Sequence, residues 1–265
     1  AAAISSASLM PQASHAELIR MELSGYGTTP GTSIQSVAIN SAYIAVGNPT
    51  NDSDRGAVII FDAVSGKRLK IFQGGTAGEK FGHAVALRGT ELIVGAPGFN
   101  GGGGGGKIYD VLTKRELFSY DAGSAAGQLG FSVAADGEFI VAGAPTGNNG
   151  ALGGFDRGYA VVFRSKPGGW GTSTSIFVVP DDPENDAFFG YSVAVYGSTI
   201  AVGAPFHNAN ALNNSGKVYL FDGTAPSNLP TSVLDSTPTI NHNFGWAVAL
   251  TPSHLVASTP FANAN

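Results

Sequence analysis

Short runs of apolar residues in strict alternation dominate the chain. In the stretch from Phe81 to Leu87, Phe81, His83, Val85 and Leu87 share one parity, and Gly82, Ala84 and Ala86 share the other. Side chains alternate across a strand, so the pattern predicts a strand with one bulky and one small face. A turn at Arg88-Gly89-Thr90 follows. A second strand then runs to Gly95-Ala96-Pro97, where proline cannot donate to a further ladder. The same 17-residue hairpin returns at 129–145, 189–205 and 244–260, with a worn copy at 33–49.

Aligning the copies on Val37, Val85, Val133, Val193 and Val248 gives spacings of 48, 48, 60 and 55, and such periods mark a solenoid or a propeller. Two further strands return between hairpins. The third is read at Gly56–Phe61, Gly106–Val111, Gly158–Phe163 and Gly216–Phe221. The fourth is read at Arg68–Phe72, Glu116–Tyr120, Ser175–Val179 and Ser232–Leu234. Helical periodicity is absent. Four antiparallel strands per repeat predict an all-β propeller, one domain over residues 1–265, with five blades. The bulky face of one blade is expected to meet the small face of the next. Segments 2–6 and 16–23 read as the third and fourth strands of the blade begun by 244–260, which would close a five-bladed ring. The rival reading is a part of a seven-bladed propeller.

The hairpins resemble the FG-GAP repeat of integrin α-subunit propellers and of many bacterial surface and secreted proteins. The resemblance rests on Phe81-Gly82 with Gly95-Ala96-Pro97, Gly130 with Gly143-Ala144-Pro145, Phe189-Gly190 with Gly203-Ala204-Pro205, and Phe244-Gly245. It implies a propeller that is secreted or surface-exposed and acts in binding or adhesion. Calcium-binding members of the family carry a D-x-D-x-D-G type loop between strands one and two. Here those links are Arg88–Thr90, Ala135–Gly137, Tyr196–Ser198 and Thr251–Ser253, without the oxygen ligands Ca²⁺ needs, so no metal site is expected.

Composition narrows the function classes. Only 12% of residues are charged and the net charge is −5, which argues against binding nucleic-acid phosphates. Cysteine is absent, which removes disulfides and thiolate metal sites. No apolar run is long enough to span a membrane. Gly101–Lys107 imitates a phosphate loop, but Ile108 stands where Ser or Thr would hold Mg²⁺. No cofactor is expected.

Chemistry is sought on one face. Loops joining strands two to three and four to one emerge together, and they hold the long and acidic connections. Candidate ligand-binding residues there are Asp52, Asp54, Asp156, Asp181, Asp182 and Glu184. The residues after each FG pair, His83, Phe131, Tyr191 and Trp246 (Gln35 in the worn copy), would form stacking surfaces for sugars at the channel mouth. Inter-blade packing is the competing reading, and their parity with the buried valines favours it. The opposite face, made of tight turns except near 164–174 and 223–231, is expected to form no pocket. Asn51-Asp52-Ser53 and Asn213-Asn214-Ser215 are glycosylation sequons. The reading is a binding or adhesion module for a glycan or protein ligand. Its alternatives are a structural subunit of an extracellular assembly, and a glycoside hydrolase or polysaccharide lyase.

Overall fold

The structure, a computed structural model, describes residues 33–123, 127–148, 155–166, 169–226 and 229–261. Blade I contains β1 (Ser36–Ile39), β2 (Tyr43–Asn48), β3 (Ala57–Asp62) and β4 (Arg68–Gln73). Blade II contains β5 (Ala84–Arg88), β6 (Glu91–Ala96), β7 (Gly105–Asp110) and β8 (Glu116–Asp121). Blade III contains β9 (Ser132–Asp136), β10 (Phe139–Ala144), β11 (Tyr159–Lys166) and β12 (Gly169–Val178). Blade IV contains β13 (Ser192–Tyr196), β14 (Thr199–Ala204), β15 (Lys217–Asp222) and β16 (Thr231–Val233). β17 (Val248–Leu250) and β18 (Leu255–Ala257) form a fifth hairpin. Each four-stranded sheet is an antiparallel meander in sequence order. The first strands lie side by side in the order β1, β5, β9, β13, β17. The expected pairing of 16–23 with the 244–260 hairpin lies outside the described residues.

Packing follows the alternation. Val85, Leu87, Leu92 and Val94 of blade II cluster with Ala38, Ala45, Val58 and Ile60 of blade I. Val193, Val195, Ile200 and Val202 of blade IV likewise meet Ala134, Val141, Ala160 and Val162 of blade III. The fifth hairpin, which holds position V in the row, sets Val248, Leu250 and Leu255 on Ala194, Ala201 and Val218. Bulky faces thus fill small ones at these three junctions, while the junction of blades II and III mixes sizes, with Ile93 and Ile108 of blade II packed with Ile140, Ala142 and Phe163 of blade III. Burying apolar area this way drives the stacking.

The FG and GAP glycines are explained by one contact. A Cβ on Gly95 would lie 2.0 Å from the carbonyl oxygen of Gly130, one on Gly143 would lie 2.0 Å from that of Gly190, and one on Gly203 would lie 2.1 Å from that of Gly245. The GAP glycine of each blade is therefore the floor on which the FG glycine of the next blade rests. Gly47 meets Gly82 in the same way, at 2.1 Å, and Ser36, Ser132 and Ser192 lock the Gly47–Gly82, Gly143–Gly190 and Gly203–Gly245 contacts by donating from Oγ to the carbonyls of Gly82, Gly190 and Gly245. The outward sides of the arc differ. Ile34 stands at the FG-glycine position of blade I, and Ser258 stands at the GAP-glycine position of blade V, where its carbonyl accepts from Gly245 N. Val37 is 61% exposed, against 8% for its counterpart Val85, and Val256 of blade V is 61% exposed.

Two strand assignments move. Gly104, not Gly106, is the counterpart of Gly56, Gly158 and Gly216, because Gly104 makes the equivalent parallel bridge, to Leu129. A shift of two residues preserves parity, and a run of glycines carries no side-chain signal to fix register. β12 begins at Gly169, six residues before the expected Ser175, because its hairpin with β11 extends beyond the sheet.

Gly143→Ala is expected to cost at least about 3 kcal/mol or to block folding, because backbone cannot retreat from the new methyl. Gly137→Ala, at φ 52° with open space around its Cβ, is expected to cost about 1 kcal/mol. Urea melts of the two variants check the difference.

Candidate functional site

The two kinds of long loop are stitched together at each junction. Gly78 N, Lys80 N and Phe81 N donate to the carbonyls of Ser53, Asp54 and Arg55. Asp186, Phe188 and Phe189 do the same to Phe155, Asp156 and Arg157, and Asn241, Asn243 and Phe244 to Asn213, Asn214 and Ser215. This stitching needs left-handed backbone at fixed places. Asp54 (φ 59°), Gly102 (φ 102°), Asp156 (φ 45°) and Asn214 (φ 53°) occupy equivalent positions two residues before each bridging glycine. Asp, Asn and Gly are the residues that tolerate this region. The acidity of Asp54 and Asp156 therefore has a conformational cause.

Of the other four predicted carboxylates, Asp52, Asp182 and Glu184 are engaged within the protein. Asp52 pairs with Arg55 at 3.3 Å. Asp182 accepts from Lys217 Nζ at 2.6 Å and from the Tyr219 hydroxyl at 2.6 Å, with His207 Nε2 3.4 Å away. Glu184 accepts from Asn208 N at 2.7 Å and from the Asn208 side-chain amide. Tyr219 is fully buried and Lys217 and His207 nearly so, so this cluster ties the loop 180–188 to β15. Burial pushes the Asp182 carboxyl up, but the hydrogen bonds from Lys217 and Tyr219, with the charges of His207 and Lys217, outweigh it and hold it below the usual range. Asp181 remains exposed. The structure thus does not gather the six carboxylates into one site.

It does gather the aromatic residues. His83 and Phe131 lie 4.6 Å apart between ring centroids, Phe131 and Tyr191 5.1 Å, and Tyr191 and Trp246 4.8 Å. They form one half-exposed row along the inner edge of the loop face. Both ring nitrogens of His83 are occupied: Nδ1–H donates to the Phe131 carbonyl at 3.0 Å, and Nε2 accepts from the Gln35 amide at 2.9 Å. Burial pushes the His83 imidazole down, with the charge of Lys80 adding to it against the Phe131 hydrogen bond. It is a neutral spacer in the row, with no free nitrogen for a metal or a proton transfer. Between blades II and III the row borders a hollow of about 590 Å³, lined by His83 and Phe131 with Phe99, Lys80, Asn100 and Gln128.

The hairpin pattern, the paired glycines and the junction loops coincide with a known repeat. A sequence profile of the FG-GAP repeat matches residues 73–112 and 176–221. The chain carries FG-GAP repeats. Each matched segment begins in or at the end of a fourth strand, crosses a junction and finishes at or just past a third strand, so each matched unit supplies one glycine to the contact on either side of it. No curated protein sequence matches the chain. Among solved structures, the computationally designed Ika4 protein is similar, with a TM-score of 0.50 and 16% identity over 76% of this chain and 95% of that one. At that identity the likeness concerns the fold alone.

The links that bear calcium in some FG-GAP proteins do not fit the ion here. Asn40 Oδ1 accepts from Ala42 N and Tyr43 N, Asp136 Oδ2 from Gly197 N, and Glu91 Oε2 from Arg88 Nε. Among the described residues, no three His, Asp or Glu side chains form a metal-ligating group.

The opposite face corrects an expectation. A hollow of about 440 Å³ lies there, lined by Thr90, Glu91, Asp110, Arg115, Glu116, Leu117, Gly169 and Trp170. Its cause is the long β11–β12 hairpin, which carries Trp170 across to blade II. There the indole Nε1 donates to Glu91 Oε1 at 3.2 Å and the Arg88 guanidinium lies 4.8 Å over the ring. Reach, rather than turn length, decides where a pocket forms.

Asp182→Asn is expected to lose about 1–3 kcal/mol at neutral pH, through weakened bonds to Lys217 and Tyr219. Because the folded carboxyl is depressed, its contribution is complete above the unfolded value near 4 and is lost as pH falls through the folded value. Melts of both proteins over a falling pH series are expected to draw together only as pH drops below the unfolded value near 4. Chelator is expected to leave the melting temperature unchanged. A fall of more than about 5 °C would show a bound metal.

Proposed function

We propose that this FG-GAP propeller is an extracellular binding module that takes a glycan or protein ligand on its loop face, with the aromatic row as the contact surface. The observation that carries the reading is the half-exposed row His83–Phe131–Tyr191–Trp246 beside an open hollow. Aromatic faces give rigid contact area at low entropic cost, and they suit the C–H faces of sugars or apolar side chains of a protein. The carboxylates shape the loops that present the row. FG-GAP repeats are typical of extracellular proteins, which supports secretion or surface display.

Binding is tested on glycan and cell-surface arrays. Phe131→Ala and Tyr191→Ala are expected to weaken it at least about tenfold, a typical result for truncating an interface aromatic. Arg115→Gln and Lys67→Gln, on the opposite face, are expected to leave it unchanged. Loss of binding in the second pair with retention in the first would reverse the face.

A five-bladed ring is our proposal for the architecture. Blade V would present Ala249 and Val256 to Val37 and Ile39 of blade I, small face to bulky face as at three of the described junctions. With Ile34 and Ser258 in place of the docking glycines, this seam would be wider than the others. The native chain has no cysteine, so Val37→Cys with Val256→Cys gives a clean test. A short bismaleimide is expected to link them within one chain. Linkage only between chains would overturn closure.

A further inference from the structure

One lining residue sets the hollow between blades II and III apart from the junction of blades IV and V. Gly98 follows the GAP proline of blade II, and at the equivalent place in blade IV stands Phe206. Phe206 packs its ring against Tyr191 at 6.2 Å and Trp246 at 5.9 Å, filling that junction. A Cβ on Gly98 would lie 1.9 Å from the Gly78 carbonyl oxygen, so the loop requires glycine and the space beside His83 and Phe131 stays open.

Its lining is chemically uneven. Among the described residues, Lys80 is the one charged side chain lining the hollow. Among the described residues its ammonium has no carboxylate partner, in a protein of net charge −5. The adjacent Glu79 is buried and turns inward, accepting from Gly75 N and Thr76 N. Asn100 and Gln128 add amides that both donate and accept, and Lys80, Asn100 and Gln128 all sit on left-handed backbone at φ 56°, 50° and 56°. Such conformations persist only where surrounding bonds hold them, which fixes where these side chains leave the chain. Phe99 and Phe131 supply apolar rings. The volume, about 590 Å³, falls within the range of small-ligand sites.

We propose that this hollow binds an anionic sugar unit of a polysaccharide, its carboxylate or sulfate on Lys80, its hydroxyls on Asn100 and Gln128, and one C–H face on the Phe131 ring. The assignment rests on the loop-face reading above and adds the ligand's charge, which the acidic composition of the chain would not suggest. A lone unpaired cation among neutral polar and aromatic groups selects for a single negative charge on an otherwise neutral, hydroxylated body.

The test measures binding of polygalacturonate, dextran sulfate and neutral dextran to the full chain by calorimetry at fixed salt. The expected result is binding of one or both anionic polymers and not of dextran. The polymer that binds identifies carboxylate or sulfate as the group recognised. Lys80→Gln is expected to weaken that binding at least about tenfold, while Lys67→Gln, the same charge change on the opposite face, does not. Unchanged melting temperatures in both variants separate this from unfolding. Equal losses in the two variants would mean unspecific charge attraction and overturn the proposal. Binding of dextran that is insensitive to Lys80→Gln but lost in Phe131→Ala would overturn the charge assignment and leave the loop-face reading standing. No binding of any of the three polymers overturns the anionic-sugar assignment, whereas the loop-face reading falls only if the array ligands ignore Phe131→Ala and Tyr191→Ala.

Discussion

The contact between one blade's GAP glycine and the next blade's FG glycine sets the geometry on which the rest of this protein depends. Backbone rests directly on backbone at the described junctions, with about 2 Å where a methyl group would go. That closeness brings the small face of one blade within reach of the bulky face of its neighbour, so that alanine meets valine and leucine. It also brings the start of each first strand beside the start of the next. The rings after the FG pairs are consequently spaced for contact, from His83 through to Trp246.

The second constraint follows from the first. Once two blades are docked, the loop leaving one and the loop entering the next run parallel, and their amides and carbonyls pair. The pairing forces left-handed residues at repeated positions, and the chain answers with Asp54, Gly102, Asp156 and Asn214. Acidic residues at the outer turns have a similar origin. Asp62, Asp110 and Asp222 each accept from backbone and hydroxyl groups two or three residues on, closing the turns between third and fourth strands. Much of the acidity that looks like a binding surface in the sequence is turn chemistry in the structure.

What remains for recognition is what the scaffold leaves over. At the junction of blades IV and V, Phe206 closes the space between rings. At the junction of blades II and III, Gly98 leaves it open and Lys80 stands at its edge. Function in such a repeat fold is carried by departures from the repeat, since residues that obey it are already committed to docking, stitching or turning.

The sequence by itself determined the blade. Period-two alternation, fixed hairpin length and recurring glycines specify strands, faces and order, because those follow from local geometry and from the need to bury one face on the next. It also placed the aromatic candidates, since His83, Phe131, Tyr191 and Trp246 share one repeat position and thus one place in space. Only tertiary structure decided what the carboxylates do. Asp182 and Lys217 lie 35 residues apart in the chain and meet only after blade IV has docked on blade III. The register of β7 within its glycine run was fixed by the Gly104–Leu129 bridge, a contact between blades that no local pattern encodes. The hollow is lined from three separate stretches, at 76–83, 97–102 and 128–131, and only docking of the blades brings those walls together.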